Sequence, residues 1–283
     1  NTAVGQLALE NNTTGNRNSA VGRIALYTNT TGHYNTALGQ GAMYYNNADS
    51  NTSIGYESMN ANTTGTQNVA VGSYALDANT TASNNTAIGY AALGANTTGT
   101  RNVAIGMNAL VANTTANDNV AVGNNALDAN TQGAQNVAVG YNVLGANTTA
   151  SSNTGVGHKA LEVNTTGDNN TAIGRDTLKA NTTASHNTAM GYLALAGNTT
   201  GERNTALGAY SGDGMTTASD CTVVGYAALT AVNTGASNCA FGANSLGANT
   251  SGASNTAVGR YALYANTTAS YNVAVGNNAS YSN

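Results

Sequence analysis

The residue types that most often carry out chemistry are few in this chain and lie far apart. Its three histidines are His33, His158 and His186, and their separation predicts no shared metal site. The 12 Asp and Glu residues are equally scattered, so no carboxylate pair at the spacing of a glycosidase is predicted. Serine is common, but no serine can be placed beside a supporting His and Asp. The sequence therefore predicts no catalytic residue, no metal site and no cofactor.

The two cysteines and the repeated Asn-Thr-Thr segments are the remaining chemical candidates. Cys221 and Cys239 are expected to point to opposite faces of neighbouring strands, which favours two free, buried thiols over a disulfide. Each Asn-Thr-Thr segment is also a glycosylation sequon, although a turn in which the Asn caps its own backbone is favoured. Stacked Thr residues suggest ice binding as an alternative. Adjacent residues such as Thr13 and Thr14, however, cannot both point outward from a regular strand.

The composition excludes several classes of protein. Only 20 of the 283 residues are charged, 8 Lys and Arg against 12 Asp and Glu, whereas an ordinary soluble domain is about 25% charged. So few basic residues argue against a nucleic-acid partner, and no apolar run of about 18 residues predicts membrane insertion. The chain contains 46 Asn, 42 Thr and 34 Gly but no Pro. A polar, nearly uncharged composition of this kind is typical of a repeat protein.

A 17-residue repeat fills the chain. Its consensus is N-T/V-A-V/I-G-x-x-A-L-x-A-N-T-T-G/A-x-x, and we number its positions 1 to 17. Sixteen full repeats and a partial C-terminal one are predicted to form a single continuous domain over residues 1–283. The third repeat is one residue short. The repeats begin at Asn1, Asn18, Asn35, Asn51, Asn68, Asn85, Asn102, Asn119, Asn136, Asn153, Asn170, Asn187, Asn204, Cys221, Asn238, Asn255 and Asn272.

The repeat predicts an all-β fold. Seventeen residues are too few for a helical-hairpin repeat, while T-A-V-G favours a strand and N-T-T-G favours a turn. We therefore predict a parallel β-solenoid of about 17 coils, with two short strands per coil at positions 1–5 and roughly 8–11. Stacked at about 4.8 Å, the coils would form a rod on the order of 80 Å long.

Stacking places each residue on its own copy in the next coil. Like charges would then repel, so neutral residues are favoured. Asn at positions 1 and 12 can hydrogen-bond along the stack, and the invariant Gly at position 5 is expected to supply a conformation or a close approach that other residues do not allow. The predicted structural ladder residues include Gly5, Gly55, Gly106, Gly157, Gly208, Gly259, Asn12, Asn62, Asn113 and Asn164.

The two faces of the first strand are expected to differ. Positions 2 and 4 are mostly β-branched or aliphatic and are predicted to face the interior. Position 3 nevertheless remains almost always Ala, although it would then face outward. One interpretation is that a flat Asn-Ala-Gly face packs against partner chains, as in a trimer. The alternative is a coil so thin that only Ala fits.

Tyrosines and irregular repeats are candidates for specific contacts. Exposed Tyr at position 6 could stack on surface glycans, pack between chains or simply shield the sheet edge. The short third repeat and the altered segment 211–215 predict local bulges. Neither end shows a polar cap, so we expect either a part of a longer protein or chains stacked end to end. The position-6 tyrosines are Tyr56, Tyr90, Tyr141, Tyr192 and Tyr226.

The N-T-A-V-G-x-x-A-L unit resembles the head repeat of trimeric autotransporter adhesins, whose coils carry a similar N-S-x-A-I-G element. It is even more similar to the N-T-A-I-G-x-x-A-L-x-x-N-T-T-G repeats of long tail-fibre-like and surface proteins of bacteria and their phages. The resemblance covers the whole chain. It implies a left-handed parallel β-roll, often a homotrimer, that serves as a shaft or adhesive head outside the cell or on a virion.

These observations lead to three functional hypotheses. The first is a non-enzymatic, extracellular structural protein that forms a rigid fibre segment or an adhesive head. The second is a subunit of a self-assembling filament stacked coil to coil. The third is a carbohydrate- or ice-binding surface module. The expected partner is a further copy of the chain, in a homotrimer or a filament, with surface glycans as a further possibility.

Overall fold

The computed structural model describes residues 1–282, and every regular element within them is a β-strand of three residues. Each strand occupies positions 2–4 of one repeat. The strands are β1 Thr2–Val4, β2 Ser19–Val21, β3 Thr36–Leu38, β4 Thr52–Ile54, β5 Val69–Val71, β6 Thr86–Ile88, β7 Val103–Ile105, β8 Val120–Val122, β9 Val137–Val139, β10 Thr154–Val156, β11 Thr171–Ile173, β12 Thr188–Met190, β13 Thr205–Leu207, β14 Thr222–Val224, β15 Cys239–Phe241, β16 Thr256–Val258 and β17 Val273–Val275.

The chain divides into two compact units, Asn1–Val139 and Gly140–Asn283. The first unit contains β1–β9 and the second contains β10–β17. Within each unit, consecutive strands pair in parallel with equal repeat positions opposite each other, as in Val103↔Val120 and Thr154↔Thr171. Each unit is therefore a parallel β-solenoid with one coil per repeat, which confirms the predicted fold class.

Glycine at position 5 ends every strand. Its φ lies near +130°, as at Gly5 (130°) and Gly106 (133°), a region that residues with a side chain rarely adopt. Space is also lacking, because a Cβ added to Gly5 would lie 2.6 Å from the carbonyl oxygen of Gly22 in the next coil. The structure thus confirms both expectations for this glycine, a backbone conformation and a close approach that other residues do not allow.

The prediction of a second strand at positions 8–11 is wrong. These residues form successive turns, because positions 7 and 9 have positive φ, as in Asn108 (56°) and Leu110 (52°). Asn113 N donates to Leu110 O within the coil (3.1 Å), whereas Leu110 N donates to Ala126 O in the next coil (3.0 Å). This segment therefore stacks through hydrogen bonds as a strand does, but without the extended backbone of one.

The predicted orientation of the first strand is also wrong. Position 3 points inward, and Ala104 and Ala121 are fully buried, while positions 2 and 4 are half-buried or exposed. The reason is the thinness of the coil. A Cβ added to Gly155, at position 3, would lie 2.5 Å from Val143 Cγ1 of the facing segment. The space is narrow enough to favour a small residue, and Val223 is the one large exception. The alternative explanation for the Ala is therefore correct, because the Asn and Ala of the supposed partner face point into the coil.

Two columns of buried asparagine join neighbouring coils. At position 12, Asn113 Nδ2 donates to Asn96 Oδ1 in the adjacent coil (2.9 Å) and to Ala116 O in its own coil (3.2 Å). At position 1, Asn119 N donates to Asn102 Oδ1 (3.0 Å), while Asn119 Nδ2 donates to Gly133 O (2.9 Å). Buried amides satisfied in this way fix the register of the coils.

Candidate functional site

The three histidines considered for chemistry stay apart in the fold. His33, His158 and His186 lie in different coils, and none of them is part of an acidic cluster. Within residues 1–282, no group of three or more His, Cys, Asp or Glu side chains is arranged to hold a metal ion.

The tyrosines predicted to make surface contacts form two exposed clusters. In the first unit, the rings of Tyr56 and Tyr90 flank Tyr74, with centroid distances of 5.4 and 6.1 Å and nearly perpendicular planes. In the second unit, Tyr210 is flanked in the same way by Tyr192 and Tyr226, at 5.2 and 5.8 Å. Edge-to-face packing of this kind stabilises the rings while leaving aromatic surface open to solvent.

The remaining position-6 tyrosine, Tyr141, stacks on His158, with ring centroids 5.3 Å apart and planes 20° from parallel. Charge and partial burial act on the phenols of the two clusters. A hydrogen bond with Glu57 raises the pKa of Tyr56, and partial burial raises the pKa of Tyr210. The phenols of Tyr56 and Tyr210 therefore stay neutral at neutral pH and can both donate and accept hydrogen bonds.

The outward residues at positions 2 and 4 form a second exposed surface, which we call the outer sheet face. Side chains such as Leu38 (46% exposed), Ile105 (37%) and Leu207 (48%) lie on it. None of the seventeen repeats has a charged residue at position 2 or 4. Each unit thus presents a charge-free strip of mainly aliphatic and Thr side chains.

The asparagines of the Asn-Thr-Thr segments lie inside the solenoid. Asn96 and Asn113 are fully buried, so an oligosaccharyltransferase cannot reach them in the folded chain. The first Thr of most segments bonds along the stack, as where Thr97 Oγ1 donates to Thr114 O (3.1 Å). This geometry agrees with the structural interpretation of these segments.

The two cysteines are free thiols, as predicted, but only Cys221 is buried and Cys239 is half-buried. Burial raises the pKa of the Cys221 thiol. Its sulfur replaces an asparagine oxygen of the position-1 column, because Asn238 N donates to Cys221 Sγ (3.5 Å). Cys221 is therefore a structural member of that column.

Sequence reasoning missed a surface ion cluster in the second unit. Lys159 Nζ lies 3.0 Å from Glu162 Oε1, and Lys179 Nζ lies 3.4 Å from Asp176 Oδ1 and 3.8 Å from Glu162 Oε2. The hydrogen bond with Glu162 raises the pKa of Lys159. The signal was the presence of charges at positions 7 and 10 of two adjacent repeats, where stacking brings them together.

The irregular repeats interrupt the position-12 column. In the short third coil, Asn46 Nδ2 donates to Ala48 O (3.0 Å) in its own coil, and Asn29 Oδ1 of the preceding coil is left buried without a partner. In the second unit, Met215 occupies position 12, and the preceding Asn198 Oδ1 is likewise unpaired. Both sequence irregularities are therefore local defects in the amide network.

Comparisons with known proteins identify no relative: no family model, no curated protein and no solved structure matches the chain. None of the elements in residues 1–282 is a helix with the length and apolar character needed to cross a membrane.

Proposed function

We propose that this chain is a non-enzymatic structural protein that forms a rigid fibre segment, or the adhesive head, of an extracellular surface protein or tail fibre. The buried asparagine columns are the observation that supports this most. Each coil is held to the next by side-chain amides inside the solenoid, in addition to the strand pairing. Separating two coils would leave those amides unpaired at about 1–3 kcal/mol each, so the solenoid resists bending and stretching.

Immunogold electron microscopy of the source cells, with an antibody raised against the chain, tests the location. Labelling of projections outside the cell envelope or on virions is the expected result. Labelling confined to the cytoplasm would contradict the proposal.

The proposed partner is a further copy of the chain, in a homotrimer, and the outer sheet face is the surface that fits it. The Asn-Ala-Gly face is buried inside the coil, whereas the outer sheet face is aliphatic and has no charge that would repel a second copy.

Ile105→Lys on the outer sheet face should convert a trimer into monomers in sedimentation velocity. Asn124→Lys, at variable position 6 of the following coil, is the matched control and should leave the trimer intact. A wild-type chain that sediments as a monomer would exclude this partner.

End-to-end stacking of coils is the alternative assembly. Negative-stain images separate the two: discrete particles of uniform length support the homotrimer, and filaments that lengthen with protein concentration support coil-to-coil assembly.

A further inference from the structure

The short third coil leaves an open depression of about 340 Å³ on the surface of the first unit. It lies between Thr31 and His33 of the second coil, residues 47–49 of the third, and Thr64 and Thr66 of the fourth. Asn47 and Asp49, which line it, are exposed to solvent. We call this depression the notch. A regular corner has two residues, usually Thr-Thr, at positions 13 and 14, whereas here Asn47 alone stands in their place.

Asn47 replaces a backbone carbonyl at this corner. In a regular coil, one Thr carbonyl accepts the N–H groups of the coil before, as where Thr13 N and Thr14 N donate to Thr30 O (both 3.0 Å). At the notch, Asn47 Oδ1 accepts from Thr30 N and Thr31 N instead (both 2.9 Å). The corner is therefore closed by a side chain, and the removed residue leaves space in front of it.

The notch offers a hydrogen-bond donor and an acceptor that have no partner among residues 1–282. Asn47 Nδ2 has no hydrogen-bond partner among residues 1–282. Asp49 Oδ1 accepts from His33 N (2.7 Å), which leaves Asp49 Oδ2 as an unused acceptor in the same part of the chain. Asn16 N donates to His33 Nδ1 (3.0 Å), so a neutral His33 carries its proton on Nε2, as a donor. Tyr34 packs edge-on against His33, with centroids 6.3 Å apart, but it does not line the notch, and the Arg17 guanidinium lies over its ring.

These groups discriminate between classes of ligand. A phosphate or sulfate would be repelled by Asp49. A calcium ion needs about six to eight oxygen ligands, and the notch offers one carboxylate. A neutral sugar suits it better, because each of its hydroxyls both donates and accepts and can pair with the amide donor of Asn47 and with the carboxylate acceptor of Asp49. The volume lies at the small end of the range for ligand pockets, about 300–1,000 Å³.

We propose that the notch is a binding site for a neutral pyranose, with Asp49 Oδ2 accepting from one hydroxyl and Asn47 Nδ2 or His33 Nε2 donating to its neighbour. This site goes beyond the fibre role, which does not require it. An intracellular location found by immunogold would leave the notch proposal standing, and a notch that binds no sugar would leave the fibre role standing.

Saturation-transfer NMR and calorimetry of the full chain test this proposal with the methyl glycosides of glucose, galactose, mannose and N-acetylglucosamine. Saturable binding of at least one probe is expected. Asp49→Asn keeps the oxygen that accepts from His33 N but removes the charge, so it should weaken binding on the order of tenfold. Insertion of a Thr after Asn47 restores a 17-residue coil and should fill the notch and abolish binding without lowering the melting temperature.

Asp168→Asn is the matched control. Asp168 Oδ1 accepts from Ser151 N (2.6 Å) in the same way, but its coil has the full 17 residues. This variant should bind the probe as the wild type does. Absence of binding by all four probes, or binding that survives the Thr insertion, would overturn the proposal.

Discussion

At the scale of single residues, the left-handed backbone at position 9 explains which side chains the repeat accepts. Position 9 is buried, yet it is Leu or Met in fifteen of the seventeen repeats and never Val or Ile. Position 4, in the strand, takes Val and Ile freely. Leu110 has a φ of 52°, and a β-branched residue is a genuine outlier in that region. The absence of β-branched residues from position 9 was therefore a signal in the sequence for positive φ at that position, although Ile24 at position 7 has a φ of 54°.

Leu110→Ile should for this reason be strongly destabilising although it conserves volume. A volume-conserving core change usually costs less than about 1.5 kcal/mol, whereas forcing a β-branched residue into this backbone adds strain of about 1–3 kcal/mol. Ile105→Leu, in the strand of the same coil, is the control and should change little, because Leu38 and Leu207 occupy the same position elsewhere. Thermal unfolding followed by circular dichroism compares the two. Equal losses would show that the left-handed backbone does not select the side chain.

Two aspartates should respond to pH in opposite ways. Partial burial raises the pKa of Asp128, whereas the hydrogen bond from the Arg101 guanidinium lowers the pKa of Asp118. The charge of Asp128 therefore opposes folding at neutral pH, and this cost disappears as pH falls through its raised pKa. The charge of Asp118 favours folding above its unfolded pKa of about 3.9, and this gain is lost as pH falls through its lowered pKa.

Asp128→Asn should accordingly raise the melting temperature at pH 7 by about 1–3 °C. Asp118→Asn should lower it by a smaller amount, because its ion pair with Arg101 is exposed to solvent. Both differences should shrink towards zero near pH 2. Thermal melts of the two variants and the wild type at pH 7 and pH 2 measure this. Shifts of the same sign in both variants at pH 7 would contradict the assignment.

At the scale of elements, the core of a coil is the narrow space between the strand and the turn segment that faces it. Positions 3 and 8 share this space, so a large residue on one side needs a smaller one opposite. In the second unit, Val143 at position 8 faces Gly155 at position 3 of the next coil. In the fourth coil, the hydroxyls of Ser53 and Ser58 hydrogen-bond to each other across the same space.

Gly155→Ala should therefore be destabilising by about 1–3 kcal/mol, because the new methyl overlaps Val143. Val143→Ala alone leaves a void and should also cost stability. The double variant recreates the Ala–Ala pair of the other coils and should be more stable than the sum of the two losses predicts. Denaturant unfolding of the three variants gives the coupling energy. Strictly additive losses would show that the two positions do not share space.

The asparagine columns are the other connection between coils. Asn113→Ala removes donors to Asn96 Oδ1 and Ala116 O and an acceptor for Asn130 Nδ2. Because the buried partners lose hydrogen bonds, the expected cost is about 1–3 kcal/mol. Asn124→Ala, at half-buried position 6, should cost less than about 0.5 kcal/mol. Thermal melts of the two variants distinguish buried from surface asparagine, and equal stabilities would argue against the ladder as a source of rigidity.

The repeat predicted much of this element structure but missed two features. Positive φ at positions 7 and 9 replaces the predicted second strand by turns, and the first strand turns its other face inward. The period, the parallel register and the roles of Gly5, Asn12 and their equivalents follow from local chemistry repeated along the chain. Local chemistry does not determine which face of the strand points inward. That depends on the thickness of the core, and the facing turn segment sets this thickness. Val and Ile at position 4 were assigned to the interior on hydrophobicity, yet the strand residue that faces the interior is position 3, which is Ala in most repeats. The missing residue in the third repeat predicted an irregularity at this corner. Which polar atoms stay free there depends on the orientation of the Asn47 side chain, which the sequence does not show.

At the scale of the whole molecule, the stability of a repeat array is close to a sum of coil and interface terms. Removing one complete coil should then leave the rest intact. Deletion of residues 102–118 brings the sixth coil against the eighth with like positions still opposite, so Thr86 would pair with Val120 and the asparagine columns would reconnect. We expect an unchanged circular-dichroism spectrum per residue and a melting temperature lower by no more than about 4 °C.

Deletion of residues 102–110 is the counterpart, because it removes only half of a coil. Position 17 would then be followed by position 10, the seventh strand would be lost, and neither asparagine column could continue in register. This variant should melt well below the full-coil deletion and show amide-hydrogen exchange throughout the coils next to the cut. If the two deletions had equal stability, the 17-residue coil would not be the cooperative unit of the fold. If the full-coil deletion failed to fold, the coils would not be interchangeable, and the array would depend on contacts particular to each repeat.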